Sequence, residues 1–328
     1  MEIIVGSPLS ERQIAKTKEF LSRLNLDWEE NPDTTVNIYD GAFLVATGSR
    51  HKNVLRCVGA SCKYRGEGLA TQVATELVKD ALAKGYSHLF IYTKPENVQT
   101  FGELGFYLVA VTDDVALLEN RKDGVKKFVE SLGESERSAV IGGIVANCNP
   151  FTNGHLYLME TAAASCDHLY VFVLSEDASE FSAEERLMLV RKGTAHIKNL
   201  SVYTTGDYLI SSATFPQYFL RDKANINRSQ CRLDVKIFAE HFAKALGITK
   251  RFVGTEPLSA ITQSYNDEMQ QALPQYGIEL VILERKENGN EPISASRVRK
   301  LIAEANWADI EKIVPKTIYE YILSRFGS

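Results

Sequence analysis

Residues 140–145 form an apolar run, and directly behind them stands Asn147-Cys148-Asn149-Pro150-Phe151-Thr152-Asn153-Gly154-His155, within which a helical pattern begins. A strand that turns straight into a helix presents unpaired backbone N–H groups and the positive end of the helix dipole above the strand, a setting that favours anions. In that setting Gly154 lets the backbone approach a phosphate. His155, on the first helical turn, is placed to donate to an α-phosphate oxygen as negative charge develops, and Thr152 offers a second donor.

Outward from this stretch the chain alternates. Strands at 140–145, 169–174, 202–204, 251–254 and 279–283 are separated by helices at 154–165, 183–196, 233–246 and 258–273, and helices at 294–304 and 315–326 close the chain. Such alternation predicts a parallel sheet covered on both faces, with ligands bound beyond the carboxyl ends of its strands where the strand order reverses. Near the end comes Ile293-Ser294-Ala295-Ser296-Arg297-Val298-Arg299. Ser294 and Ser296 are helix N-cap candidates, and Arg299, one turn on, can reach phosphate oxygens. The stretch Phe252-Val253-Gly254-Thr255-Glu256 either lines a nucleotide pocket, through Gly254, or is a plain strand-to-loop turn. Ser182-Ala183-Glu184-Glu185 is a capping box and needs no chemical role.

The first part of the chain has a different rhythm. Ser10-Glu11-Arg12-Gln13 opens an amphipathic helix, and strands at 36–39, 42–46 and 54–60 suggest an antiparallel meander. Arg65-Gly66-Glu67-Gly68 then leads into a helix over 69–82 closed by Gly85, followed by a strand at 88–92, a helix at 98–104 and a strand at 106–111. This reads as a mixed sheet with helices on it. The polar stretch 120–137 carries an apolar segment, 125–132, that reads as a short linking helix. The expected organisation is a domain over 1–120, a linker over 121–137 and a second domain over 138–328.

With 328 residues the chain has room for two cores, and its 45% hydrophobic and 24% charged residues are those of a folded globular protein. A net charge of −5 lacks the positive field that non-specific binding to nucleic acid or an anionic membrane requires. Residues 1–5 lack the basic start of a secretion signal, and no uninterrupted apolar run reaches the ~18 residues of a membrane span, so the expected location is the cytoplasm. Five cysteines, Cys57, Cys62, Cys148, Cys166 and Cys231, show no zinc-site spacing and read as reduced thiols. The charged group Asp207, Arg221, Asp222 and Lys223 reads as a solvated loop.

Thr152-Asn153-Gly154-His155 resembles the Thr/His-x-Gly-His signature of the nucleotidylyltransferase superfamily, and residues 293–299 resemble its Ile-Ser-x-Thr/Ser-x-x-Arg element. The resemblance implies a Rossmann-like domain that uses ATP and Mg2+, with His155 and Thr152 catalytic and with Asn149, Phe151, Gly154, Gly254, Ser294, Ser296 and Arg299 binding the nucleotide. Arg65-Gly66-Glu67-Gly68-Leu69-Ala70 is similar to the pyrophosphate-cradling loop of the N-acetyltransferase superfamily, and Asn97, Phe101 and 104–106 resemble its later elements. That implies an N-acetyltransferase-like domain in which Arg65, Gly66, Gly68, Ala70 and Asn97 meet a CoA-like group. A fusion of these two parts resembles the citrate lyase ligase family over nearly the whole chain. The resemblance implies an AMP-forming acid–thiol ligase. Such an enzyme adenylates acetate and passes the acetyl group to the prosthetic-group thiol of the acyl carrier subunit of citrate lyase. Two alternatives stay open: a cofactor adenylyltransferase that releases a dinucleotide, and a non-catalytic sensor of ATP and acetyl-CoA.

Overall fold

The computed structural model describes residues 1–6, 9–133, 140–175, 180–210, 215–220, 226–255, 260–289 and 291–327. The chain divides into two compact units: Met1–Gly124 with Pro216–Leu233, and Val125–Phe215 with Asp234–Ser328.

In the first unit, seven strands form a mixed sheet in the order β1-β2-β3-β4-β5-β7-β6. They are β1 (Glu2–Gly6), β2 (Thr34–Asp40), β3 (Phe43–His51), β4 (Val54–Ala60), β5 (Phe90–Thr93), β6 (Tyr107–Val111) and β7 (Ala116–Glu119). The meander β2-β3-β4 is antiparallel as the turn residues suggest, and α1 (Glu11–Arg23) starts at the capping box of Ser10 and Gln13. Helix α2 (Leu69–Ala83) lays Leu69, Val73 and Leu77 on Val36, Ile38 and Ile91 of the sheet. Short α3 (Val98–Gly102) precedes β6. Strands β4 and β5 are parallel and pair only through Val54 with Phe90 and Leu55 with Ile91.

Strands β1 and β7 go beyond the sequence reading. A four-residue segment such as Ala116–Glu119 is too short to show a period, and β1 gains its partner, β2, from about thirty residues away. Pro216–Leu233 differs from the expected contiguous second domain: Tyr218 Oη donates to the Tyr92 carbonyl (2.6 Å), Asp27 N–H donates to the Tyr218 carbonyl (2.7 Å), and Ser229 Oγ donates to Asp114 Oδ2 (3.0 Å). Long-range bonds of this kind leave no local pattern in a sequence.

The second unit opens within α4 (Gly124–Glu130), so part of the expected 121–137 linker is built into a core. Phe128 lies 5.3 Å from Tyr208 and 6.0 Å from Phe242, ring centre to ring centre. Five parallel strands follow: β8 (Ile141–Ala146), β9 (His168–Val173), β10 (Leu200–Thr204), β11 (Ile248–Gly254) and β12 (Glu279–Leu283), in the order β10-β9-β8-β11-β12. This is the Rossmann-like order, and it reverses between β8 and β11.

Helices α5 (Asn153–Ala164) and α6 (Ala183–Gly193) share one core with the closing helices α10 (Ala295–Ala303), α11 (Trp307–Ile313) and α12 (Lys316–Phe326). A π-helical stretch, Phe238–Ala243, follows α7 (Ile226–Ile237) and leads into α8 (Lys244–Leu246), and on the other face of the sheet its Phe238 and Phe242 pack edge-on to Phe172. That helix therefore begins earlier than the expected residue 233. Helix α9 (Ala260–Ala272) precedes β12, and β13 (Glu287–Asn288) and β14 (Glu291–Pro292) make a small hairpin before α10. Helix α11, which the sequence reading left out, is one short element of seven residues.

The central strand carries Gly142 and Gly143 because both faces are crowded. A Cβ at Gly142 would lie 2.8 Å from the Phe252 ring, and one at Gly143 would lie 3.1 Å from Phe238. Residues 134–139, Arg221, Asp222, Lys223, Glu256 and the expected helix start at 258 lie outside the described residues. Among the described residues, no helix is long and apolar enough to cross a membrane.

Gly193, in the last turn of α6, meets Phe151 of the motif loop, and a Cβ there would sit 2.4 Å from that ring. Because Phe151 is 0% exposed, the ring has nowhere to retreat. Gly193→Ala should therefore destabilise the protein by about 1–3 kcal/mol, read as a lower urea midpoint at unchanged slope.

Candidate active site

The reversal between β8 and β11 puts the N-terminus of α5, the end of β11 and the start of α10 beside one another. Thr152 is the N-cap of α5, with extended backbone (φ −125°, ψ 168°), and the cap is a reciprocal box. Its Oγ1 accepts the N–H of His155 (3.3 Å), and its own backbone N–H donates to His155 Nδ1 (3.1 Å). A backbone N–H can only donate. Nδ1 is therefore the unprotonated nitrogen and Nε2 carries the hydrogen. Among the described residues nothing accepts from Nε2, so the ring keeps one N–H for a ligand.

Burial, and then the nearby Arg285 guanidinium, push the His155 pKa down from 6.5 to about 4. The imidazole is thus neutral at ordinary pH. The ring stacks on Phe151, with centres 5.9 Å apart and planes 17° apart. With the His155 N–H taken by the cap, the N–H groups of Asn153 and Gly154 remain at the helix end for an anion. Asn153 also donates through Nδ2 to the Lys312 carbonyl (3.2 Å).

Gly154 serves a close approach of two motifs. A Cβ there would lie 3.2 Å from the Ile293 carbonyl oxygen, so the glycine admits the segment that carries the second signature. Ser294 caps α10, its Oγ accepting the Arg297 N–H (3.2 Å). Arg299 donates from Nη2 to Ser296 Oγ (3.0 Å) and from Nη1 to the Asn149 carbonyl. Residues from opposite ends of the unit are thereby brought together.

Three of the expected site residues have buried side chains in the structure. Phe151, expected to bind nucleotide, is 0% exposed between Gly193 and His155 and offers no surface to a ligand. Asn149 is buried as well, with Oδ1 accepting the Phe181 N–H (3.3 Å), so it supports the loop. Thr152 is 1% exposed and its hydroxyl belongs to the helix cap, which makes it the residue that orients His155. Cys148, inside the same loop, is buried and its thiol is pushed up to about 12, far from a thiolate at neutral pH.

Arg285 escaped the sequence reading. It stands two residues past β12, its backbone N–H donates to Thr255 Oγ1 (3.1 Å), and its side chain passes 3.8 Å from the Cβ position of Gly254. Burial lowers its pKa, and its charge reaches His155. A cation just beyond the carboxyl end of a parallel strand was the available signal. Among the described residues, no group of three His, Cys, Asp or Glu side chains is placed to hold a metal ion.

In the first unit, Gly66 (φ +92°) and Gly68 (φ +68°) shape the turn from β4 into α2, with Arg65 exposed and Ala70 on the first helical turn. Asn97 follows β5 and donates from Nδ2 to Thr93 Oγ1 (3.0 Å). Both groups therefore stand past the carboxyl ends of the parallel pair β4 and β5.

Residues 141–322 match the family model for the citrate lyase ligase C-terminal domain. The chain is 42% identical over 318 residues to the citrate (pro-3S)-lyase ligase of Escherichia coli, covering 95% of this chain and 90% of that protein. To the protein of the same name in Haemophilus influenzae it is 40% identical over 321 residues, covering 95% and 96%. A shorter likeness, 40% over 67 residues, covers 20% of this chain and 41% of the phosphopantetheine adenylyltransferase of Symbiobacterium thermophilum.

The depressed His155 pKa has a consequence for stability. The unfolded chain takes up this proton near pH 6.5 and the folded protein only near 4, so falling pH favours unfolding across that window. Relative to His155→Gln, which can still accept from Thr152 but cannot titrate, the parent should lose stability between neutral pH and pH ~4.5. Urea unfolding at the two pH values reads this, and a constant difference would contradict the burial of the ring.

Proposed function

The chain belongs to the citrate lyase ligase family, and on that premise we propose that it activates acetate with ATP and acetylates the prosthetic-group thiol of a citrate lyase acyl carrier subunit. One acetate oxygen attacks the α-phosphorus in line, the bond to the β-phosphate oxygen breaks, and acetyl-AMP and pyrophosphate result. The thiolate then attacks the acetyl carbonyl, AMP leaves, and a thioester is formed. The observation that supports this reading most is the neutral His155 with Nδ1 engaged and, among the described residues, no acceptor at Nε2–H, at the mouth of α5.

Nε2–H donates to an α-phosphate oxygen as its charge grows, assisted by the N–H groups of Asn153 and Gly154. A neutral donor does not have to lose a proton as the transition state forms. Arg285 meets the phosphate beside His155, while Arg299, with Ser294 and Ser296 at the start of α10, receives the β- and γ-phosphates and then the departing pyrophosphate. Gly254 leaves space for the nucleotide at the end of β11. Mg2+ would enter with ATP, since the described residues supply no carboxylate cluster for it, and no step here depends on its placement. The thiol-bearing arm docks in the first unit at Arg65, Gly66, Gly68, Ala70 and Asn97, where the left-handed glycines open backbone N–H groups to a pyrophosphate.

The short likeness to an adenylyltransferase favours a second reading of the same site, in which a phosphate ester replaces the carboxylate. Incubation with ATP, Mg2+, a panel of small carboxylates and a thiol-bearing carrier separates the two. AMP and pyrophosphate that appear only with acetate, and a carrier heavier by one acetyl group, support the ligase; pyrophosphate with an adenylyl group joined to the phosphate of phosphopantetheine, or to a mononucleotide as a dinucleotide, supports the other.

His155→Ala should slow pyrophosphate release roughly a hundredfold, the ~3 kcal/mol of one positioned donor, in a protein that remains folded. Equal rates would remove His155 from the chemistry. Gly68→Val, strained at φ +68°, should slow acetylation of the carrier thiol more than it slows pyrophosphate release. Equal losses in both would detach the glycine turn from the thiol arm.

A further inference from the structure

The loop that carries His155 has no ladder of its own. Between the end of β8 at Ala146 and the cap at Thr152, the chain is irregular, so side chains must set its position. Arg186, on the second turn of α6, is 0% exposed and gives its guanidinium to this loop. Nη1 donates to the Asn147 carbonyl (3.0 Å) and to Asn147 Oδ1 (2.6 Å), and Nε donates to the Phe181 carbonyl (3.1 Å). Phe181 in turn donates its N–H to Asn149 Oδ1 (3.3 Å). One planar fork thus fixes Asn147 directly and Asn149 through Phe181.

The far end of the same helix takes up the rest of the loop. Phe151 lies on Gly193, and the His155 ring stacks flat on Phe151. From Asn147 to His155 the loop is therefore draped along α6, held by a charged fork at the start of the helix and a bare glycine at its end. A shift of Asn147 carries Thr152 with it, and Thr152 sets the tautomer and the direction of the imidazole.

We propose that Arg186 is a positioning residue for the adenylation step, acting through Asn147 and Phe181 to place Nε2–H of His155. This rests on the reading of His155 as donor to the α-phosphate. It goes beyond that reading in making a residue of the second strand-to-helix connection decide the rate. A fully buried guanidinium is costly to desolvate, and a fork is needed because Asn147 and Phe181 approach from different sides. Lysine has the charge and lacks the fork.

Arg186→Lys and Asn147→Ser are compared with the parent in the full chain, folding being checked by urea unfolding. The first should lower kcat for acetate-dependent pyrophosphate release by about tenfold to a hundredfold, with KM for ATP within about twofold, since a misplaced donor is felt in the transition state. Asn147→Ser should lower kcat in the same direction, and the double variant should lose less than the sum of the two logarithmic losses, because both act through one contact. Parent kcat in a folded Arg186→Lys, or a rise in KM at constant kcat, would overturn the proposal.

A 15N spectrum of labelled imidazole gives a readout independent of any reaction. The parent should show a protonated Nε2 and an unprotonated Nδ1, and Arg186→Lys should show a mixture of tautomers. If the spectra of parent and Arg186→Lys are identical, Arg186 does not position His155. Should the parent release no pyrophosphate while the spectra differ as described, the positioning stands and the assigned reaction falls.

Discussion

The backbone N–H of Thr152 donating to Nδ1 of His155 is the contact on which the site depends. It settles three matters together: the start of α5, the tautomer of the imidazole and the direction of its remaining N–H. A helix needs a cap for its first N–H groups, and here the capping partner is also the side chain proposed to meet the α-phosphate. The usual glutamate or glutamine of such a box is replaced by histidine. The substitution keeps the reciprocal hydrogen bonds and leaves a donor facing the region where an anion is favoured.

Everything beneath that contact serves to hold it still. Phe151 fills the space under the imidazole, Gly193 receives Phe151, and Gly142 and Gly143 let both layers of helices close on the central strand. Above it, Gly154 admits the Ile293 carbonyl, so the two motifs, more than a hundred residues apart, meet without an intervening side chain. Arg299 then reaches the Asn149 carbonyl. The same burial that makes the arrangement rigid keeps His155 neutral, and a neutral donor suits a site that Arg285 already makes positive.

Glycines in this chain have two different duties. Gly66 and Gly68 are required by backbone conformation, with positive φ and open space around a would-be Cβ. Gly142, Gly143, Gly154 and Gly193 have no such conformation and are required by what lies against them. The first kind can be suspected from a turn pattern. The second kind depends on a neighbour brought up by the fold.

Local information sufficed for the alternating strands and helices after residue 140, because their apolar patterns are local, and for the capping boxes at Ser10 and Ser182 and the motif around His155, because those rest on contacts within about four residues. The same information identified Ser294 as a cap and placed Arg299 on its helix. It did not reveal that Phe151 and Asn149 are buried, since a loop residue reads alike whether it faces ligand or core. Arg285, Arg186, the strand β7 between β5 and β6, and the inclusion of Pro216–Leu233 in the first unit came only from the tertiary structure. Each has at least one partner more than twenty residues away, and periodicity along a chain records which face a residue prefers, not what the fold will set against it.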